Sequence, residues 1–174
     1  MTQQMQSDLA CIAGQERRLQ FTTLDLDQLW RLGGLLREMA RERGMALAIE
    51  IRVGADTVFQ SIMPGASPNN ADWARRKRNT VQMLHTSSYA VGLAARLKGV
   101  SLEQESGQPL RDYATHGGSF PLLLAHYGVA GAITVSGAPE RDDHALVVEA
   151  LARLLGIDHA TLAFDPLPAA SAPR

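Results

Sequence analysis

Ser119-Phe120-Pro121-Leu122-Leu123-Leu124-Ala125 and Val129-Ala130-Gly131-Ala132-Ile133-Thr134-Val135 stand on either side of Tyr127-Gly128. Two apolar runs joined by so short a turn predict a β-hairpin, and their nearly unbroken hydrophobicity places it at the centre of a sheet, covered on both faces. With Tyr127-Gly128 as the reversal, antiparallel pairing sets Phe120 opposite Val135 and Gly118 opposite Gly137. Two glycine-containing corners then meet: Thr115-His116-Gly117-Gly118-Ser119 comes beside Ser136-Gly137-Ala138 and the start of the next helix.

Upstream, Ala46 to Val53 and Thr57 to Ile62 flank Gly54-Ala55-Asp56 and form another hairpin. Between the hairpins, the proline-free stretch from Asn70 or Asp72 to Lys98 keeps one apolar face and predicts a long helix ending at Gly99, bent at His85-Thr86-Ser87-Ser88. Residues 101–111 read as a polar linker. Towards the N-terminus, residues 8–19 have helical spacing with Ser7 or Asp8 placed as cap. A short extended piece, Leu19 to Phe21, leads to a second helix over Asp25 to Arg43, stopped by Gly44. Within it, Gly33-Gly34 costs about 1 kcal/mol per glycine relative to alanine, which implies an element packed very close. Pro139 opens a last helix that Gly156 closes, its early acids matching the positive helix end. Hairpins with long helical connections predict one α+β domain over 7–157, an antiparallel sheet of about five strands with helices on both faces. A proline-rich, loose C-terminal tail follows over 158–174.

Composition narrows the function classes. The chain has 174 residues, 45 % hydrophobic and 20 % charged, with seventeen basic against eighteen acidic side chains and a net charge of -1. That balance provides no electrostatic footprint for general binding to nucleic acid or an anionic membrane. No apolar run approaches a membrane span, and the start lacks a secretory pattern. The single cysteine, Cys11, reads as a small buried hydrophobe, and a reducing cytoplasm is the expected compartment.

The corner between the hairpin ends is the candidate ligand site. It gathers His116, Gly117, Gly118, Ser119, Ser136, Gly137, Asp143 and His144, with Asp142 nearby, next to backbone N-H groups suited to a carboxylate or phosphate. The same glycines and hydroxyls also serve turns and caps, and Asp142 and Asp143 are ordinary first-turn acids. No dinucleotide or phosphate loop is present, because the glycines near residue 117 precede a strand rather than a helix. The five histidines show no paired metal spacing, no metal site is assigned, and no nucleophile elbow marks a catalytic residue. Arg75-Arg76-Lys77-Arg78 is the densest charge; consecutive residues point around a helix turn, so they read as a solvated face or as salt bridges between subunits.

Several strings in order carry a family resemblance: Asn69-Asn70-Ala71-Asp72-Trp73, Arg75-Arg76-Lys77-Arg78-Asn79, Tyr113-Ala114-Thr115-His116-Gly117-Gly118-Ser119-Phe120-Pro121, Val135-Ser136-Gly137-Ala138-Pro139 and Asp142-Asp143-His144. Over residues 7–157 the chain resembles the haem-degrading domain superfamily, in the branch catalogued as uncharacterised protein family 0303. The resemblance implies a profilin-like protomer, assembly into homo-oligomeric rings and, in some extracellular bacterial relatives, haem binding or degradation. Fungal relatives of the branch are associated with delivery of tail-anchored membrane proteins. In this light Trp73, Arg75, Arg76 and Arg78 are expected at subunit contacts or an anion-binding wall, where the arginines would suit haem propionates, and His116 or His144 would reach iron.

The functional expectation is therefore an oligomeric protein that binds haem or another small anionic ligand at the His116 corner. A non-catalytic oligomeric scaffold is the alternative, and an enzyme of unrecognised type comes third.

Overall fold

The computed structural model describes residues 2–167, which run α1 (Thr2–Arg18), β1 (Gln20–Phe21), α2 (Leu26–Glu42), β2 (Ala48–Val53), β3 (Asp56–Ile62), α3 (Pro68–Leu84), α4 (Ser88–Lys98), α5 (Leu102–Ser106), β4 (Ser119–Leu124), β5 (Gly128–Ser136) and α6 (Glu140–Leu155), then a 3-10 turn at His159–Thr161. The strands form one five-stranded sheet of order β1-β4-β5-β2-β3. The apolar hairpin β4–β5 is central, as its composition requires: Phe120, Leu122, Ile133 and Val135 are completely buried. The fold is α+β, with α2 and α6 packed on one sheet face and α3 on the other.

The hairpin register differs from expectation by two residues. Phe120 pairs with Ile133, and Leu124 with Gly128, so the reversal is Ala125-His126-Tyr127. His126 takes a left-handed conformation there, φ 66°. A shift of two preserves which side chains face which layer, because side chains alternate with period two. The sheet is also mixed rather than wholly antiparallel. β1 runs parallel to β4, pairing Gln20 with Leu123 and Phe21 with Leu124, since burying Leu19 and Phe21 draws this short segment onto β4's free edge.

The stretch expected as one long helix is two. His85 adopts φ 57° and ends α3, and Glu16 of α1 accepts hydrogen bonds from Thr86 Oγ1 and the Ser87 N-H, at 2.8 and 2.7 Å. A tertiary carboxylate thus caps the new start. α3 begins at Pro68, with the Ser67 N-H donating to Asn70 Oδ1 at 2.7 Å. The linker over 101–111 contains α5, started by Gln104 N-H donating to Ser101 Oγ. Asp8 is no cap, since α1 begins earlier; it is buried and paired with Arg141. Of the two adjacent glycines in α2, only Gly33 has a close neighbour: a Cβ there would lie 2.2 Å from the Phe59 ring of β3, whereas Gly34 faces open space.

The first part of the expected loose tail packs. Leu162 is 2 % exposed, and Phe164 lies edge-on to Tyr89 and beneath the Arg141 guanidinium. These two apolar anchors directly after the 3-10 turn hold it down; residues 168–174 lie outside the described part. Among the described residues, no helix is long and apolar enough to cross a membrane.

Candidate functional site

α3, the loop before β4, and the β5–α6 junction enclose an open cavity of about 270 Å³. Its walls include Trp73, Lys77, His116, Ser136, Gly137 and Glu140, with Asn69 and Asn70 at the first turn of α3. The two hairpin corners do meet here: the Val135 N-H donates to Gly118 O at 2.8 Å. Gly118 has φ 122°, and a Cβ would lie 2.4 Å from Val135 O and 2.9 Å from Lys77 Nζ. A side chain at this position would fill the space that brings the loop against β5.

Lys77 is the centre of the polar arrangement. It lies three residues after Ala74 and four before Val81, on the buried stripe of α3. Nζ donates to Asp143 Oδ2 at 2.8 Å and to Val135 O at 3.4 Å. The Asp143 carboxylate also accepts the N-H groups of Ala138 at 3.0 Å and Gly137 at 3.4 Å. Burial pushes the Asp143 carboxyl above its ordinary range, with Lys77 and the two N-H groups opposing.

His116 is exposed on its outer side, and its ring meets Trp73 edge-on, centroids 4.8 Å apart at 77°. Partial desolvation lowers its pKa; the Glu140 carboxylate opposes, and Lys77, Arg96 and Arg76 add to the depression. The imidazole is thus mainly neutral at pH 7, with a lone pair available. Trp73 also carries Arg76, whose guanidinium carbon is 3.8 Å from the ring centroid.

The remaining candidates divide. Ser136 and Gly137 line the cavity, Gly117 and Gly118 shape it, and Asp143 supports Lys77 from behind. Ser119 is withdrawn into the sheet, its Oγ 2.7 Å from Thr134 Oγ1, and Asp142 is exposed. His144, expected beside the ligand, is instead a core residue: it is 0 % exposed. Its Nε2 bonds Gln15 Oε1 at 2.8 Å, among the rings of Tyr89, Phe120 and Phe164. Burial pulls its pKa down to about 3. It points into the core because it shares the inward stripe of α6 with Val147, Val148 and Leu151.

The arginines have partners within the chain. Arg75 pairs with Asp72 and Asp112 at 3.0 and 3.2 Å, and Arg76 with Asp72 at 2.9 Å. Arg78 Nη1 lies 2.9 and 2.8 Å from the two Glu50 oxygens. Of these three, Arg76 adjoins the His116 cavity, through Trp73. Lys77, Asn69, Asn70 and Glu140 were absent from the sequence-derived site. The signal for Lys77 was its place on an apolar stripe; Asn69 and Asn70 stood in a family string and Glu140 opens the helix beside the second corner, but spacing alone singled out none of the three. Among the described residues, no three His, Cys, Asp or Glu side chains gather as a metal site.

The comparisons agree with this architecture. Residues 24–152 match the family described as "Haem degrading protein HbpS-like". A UPF0303 protein of Azotobacter vinelandii is 51 % identical over 163 residues, 94 % of this chain and 98 % of the relative. One from Paraburkholderia phymatum is 51 % identical over 156 residues, 90 % and 94 % of the two chains. Among solved structures, the Ybr137w protein superimposes with TM-score 0.78 at 23 % identity, over 85 % of this chain and 87 % of that one. HbpS gives TM-score 0.60 at 24 % identity, over 79 % and 93 %. The PduOC:heme complex gives 0.65 at 19 % identity, over 75 % and 94 %. These structural likenesses concern the fold.

Proposed function

The chain belongs to the HbpS-like haem-degrading family, and we propose that it is a ligand-binding member whose His116 cavity receives a small anionic molecule, haem being the first candidate. One observation carries this reading: the His116 imidazole and the buried Lys77 ammonium line the same cavity beside Trp73. A neutral imidazole can ligate a metal where a protonated one cannot. Bound haem supplies an iron centre for electron transfer or dioxygen chemistry. Of the residues here, His116 would offer a ring nitrogen, and Lys77 would offer a donor to a carboxylate. The cavity, about 270 Å³, is below the roughly 300–1,000 Å³ that encloses drug-sized ligands, so these residues fit one edge of a haem and not the whole macrocycle. Family membership and this partial fit support haem; the single half-buried cysteine, Cys11, supports a reducing setting. Titration of the purified protein with haemin tests it. A saturable Soret shift in wild type that His116→Ala abolishes is expected, and no shift in wild type removes haem.

A second reading, an oligomeric scaffold, draws on a separate surface. Leu26 and Trp30, one turn apart on α2, are 57 % and 61 % exposed. Trp30 packs edge-on to Phe59 of β3, which is one of the two edge strands of the sheet. Exposed aromatic and aliphatic side chains beside the free edge of a strand suit contact with another copy. Sedimentation should give a mass above the monomer, lowered in Trp30→Ser. A monomeric wild type counts against it.

A further inference from the structure

We infer that the His116 cavity takes a small planar monocarboxylate whose charged end is received by the Lys77 ammonium, an inference that rests on the cavity being a ligand site. An ammonium carries three N-H donors. Lys77 Nζ has two acceptors, Asp143 Oδ2 at 2.8 Å and, more weakly, Val135 O at 3.4 Å. Its side chain is 5 % exposed and lines the cavity, so the third donor is the one a ligand can serve.

The surrounding charges set the ligand's valence. Asp143 is paired with Lys77, Glu140 with Arg96 at 3.1 Å, and Asp72 with Arg76 at 2.9 Å. One added negative charge meets no unpaired carboxylate and gains a charge-assisted hydrogen bond. The N-terminal turn of α6 adds a weaker attraction from the same side. Lys77 is already shared with Asp143 and has one N-H left to give, so it receives a single ligand charge, and a dianion would add a second with no further donor or cation among these groups to meet it.

The walls set the shape. Trp73 and His116 make an aromatic corner, rings crossing at 77°, which offers a flat molecule edge and face contacts. A cavity of about 270 Å³ accommodates one substituted ring, while the roughly 300–1,000 Å³ of larger ligand sites is not reached. The class is therefore an aromatic or conjugated monocarboxylate.

The probe is benzoate, with benzamide as its uncharged counterpart and haemin in parallel, all with the full chain. Calorimetry should show saturable benzoate binding and benzamide binding at least about tenfold weaker, as loss of one charge-assisted bond implies. Amide NMR shifts should centre on Gly137, Ala138 and Glu140. Lys77→Met strands a buried carboxylate and threatens the fold, so the variant is Lys77→Met with Asp143→Asn, checked by its melting transition. It should bind benzoate at least about tenfold more weakly; should it not fold, the benzoate–benzamide contrast in wild type decides. Equal binding of the two probes, or shifts elsewhere, overturns the inference. Haemin binding lost in His116→Ala, with no benzoate binding, also overturns it while leaving the ligand-site reading intact. Benzoate binding without a haemin response sustains it and removes haem, and no response to either ends both.

Discussion

The Lys77 ammonium meets the Asp143 carboxylate at 2.8 Å behind the cavity, with side chains 5 % and 0 % exposed. This pair ties α3 to α6 across the end of β5, and Asp143 also accepts the two N-H groups of the β5–α6 corner. The same contact therefore organises the fold and presents the cavity's cation.

Removing one member should cost far more than removing both. Lys77→Met leaves Asp143 buried without its counter-ion, and a loss of about 3–5 kcal/mol is expected from urea unfolding. Lys77→Met with Asp143→Asn should recover most of it. Equal losses in the single and double variants would show that the pairing is not what stabilises this corner.

His144 gives the acid limb of stability a definite sign. Burial lowers its pKa from 6.5 to about 3, so the unfolded chain takes up a proton more readily than the folded one. Its stabilising contribution is full above pH 6.5 and declines as pH falls towards 3. Asp143 acts in the opposite sense, since its raised carboxyl pKa favours the fold at low pH. The comparison of wild type with His144→Leu isolates the histidine: the variant should show a flatter decline between about pH 6.5 and 4. At neutral pH it should be less stable by about 1–3 kcal/mol, because Gln15 Oε1 loses its donor. Parallel profiles would sink the assignment.

Arg141 joins the N-terminal helix to the segment after α6. It donates to both Asp8 oxygens at 2.9 and 3.0 Å and to Asp165 O at 2.7 Å. Arg141→Ala should destabilise towards the lower end of about 3–5 kcal/mol, since the arginine is partly solvated. It should also open residues after 158 to limited proteolysis before global unfolding. Unchanged cleavage would mean that Phe164 and Leu162 hold the segment without it.

Adjacent glycines in α2 should respond oppositely to alanine. Gly33→Ala places a methyl 2.2 Å from the Phe59 ring and should cost about 1–3 kcal/mol by overpacking. Gly34 is exposed with nothing near its Cβ direction, so Gly34→Ala should stabilise by about 0.4–1 kcal/mol. Thermal melts of the two variants measure the contrast directly.

Local chemistry was legible wherever side-chain spacing met only one possible environment. The hydrophobicity of Phe120 to Leu124 and Ala132 to Val135 demanded a strand pair covered on both sides, and Gly33 announced a close neighbour. The hairpin corners around His116 and Gly137 followed from that pairing, even with the register off by two. Asp8, Ser87 and His144 were not legible in the same way. Asp8 read as a helix cap, Ser87 as part of a bend and His144 as a ligand-site residue, and each acquired its role from a distant group: Arg141 for Asp8, Glu16 for the Ser87 N-H, Gln15 and three aromatic rings for His144.

By itself, the order of apolar runs, turns and caps determined an α+β domain with a central hairpin, because periodicity and backbone preference act over a few residues. Which polar groups became buried was decided only by the tertiary structure. A lysine inside a basic run became the cavity's ammonium because Ala74 and Val81 turned it inward to Asp143, sixty-six residues away. A histidine beside that aspartate was sealed in the core. Burial and long-range pairing set the charge and accessibility of these groups, and neither is a property of neighbours along the chain.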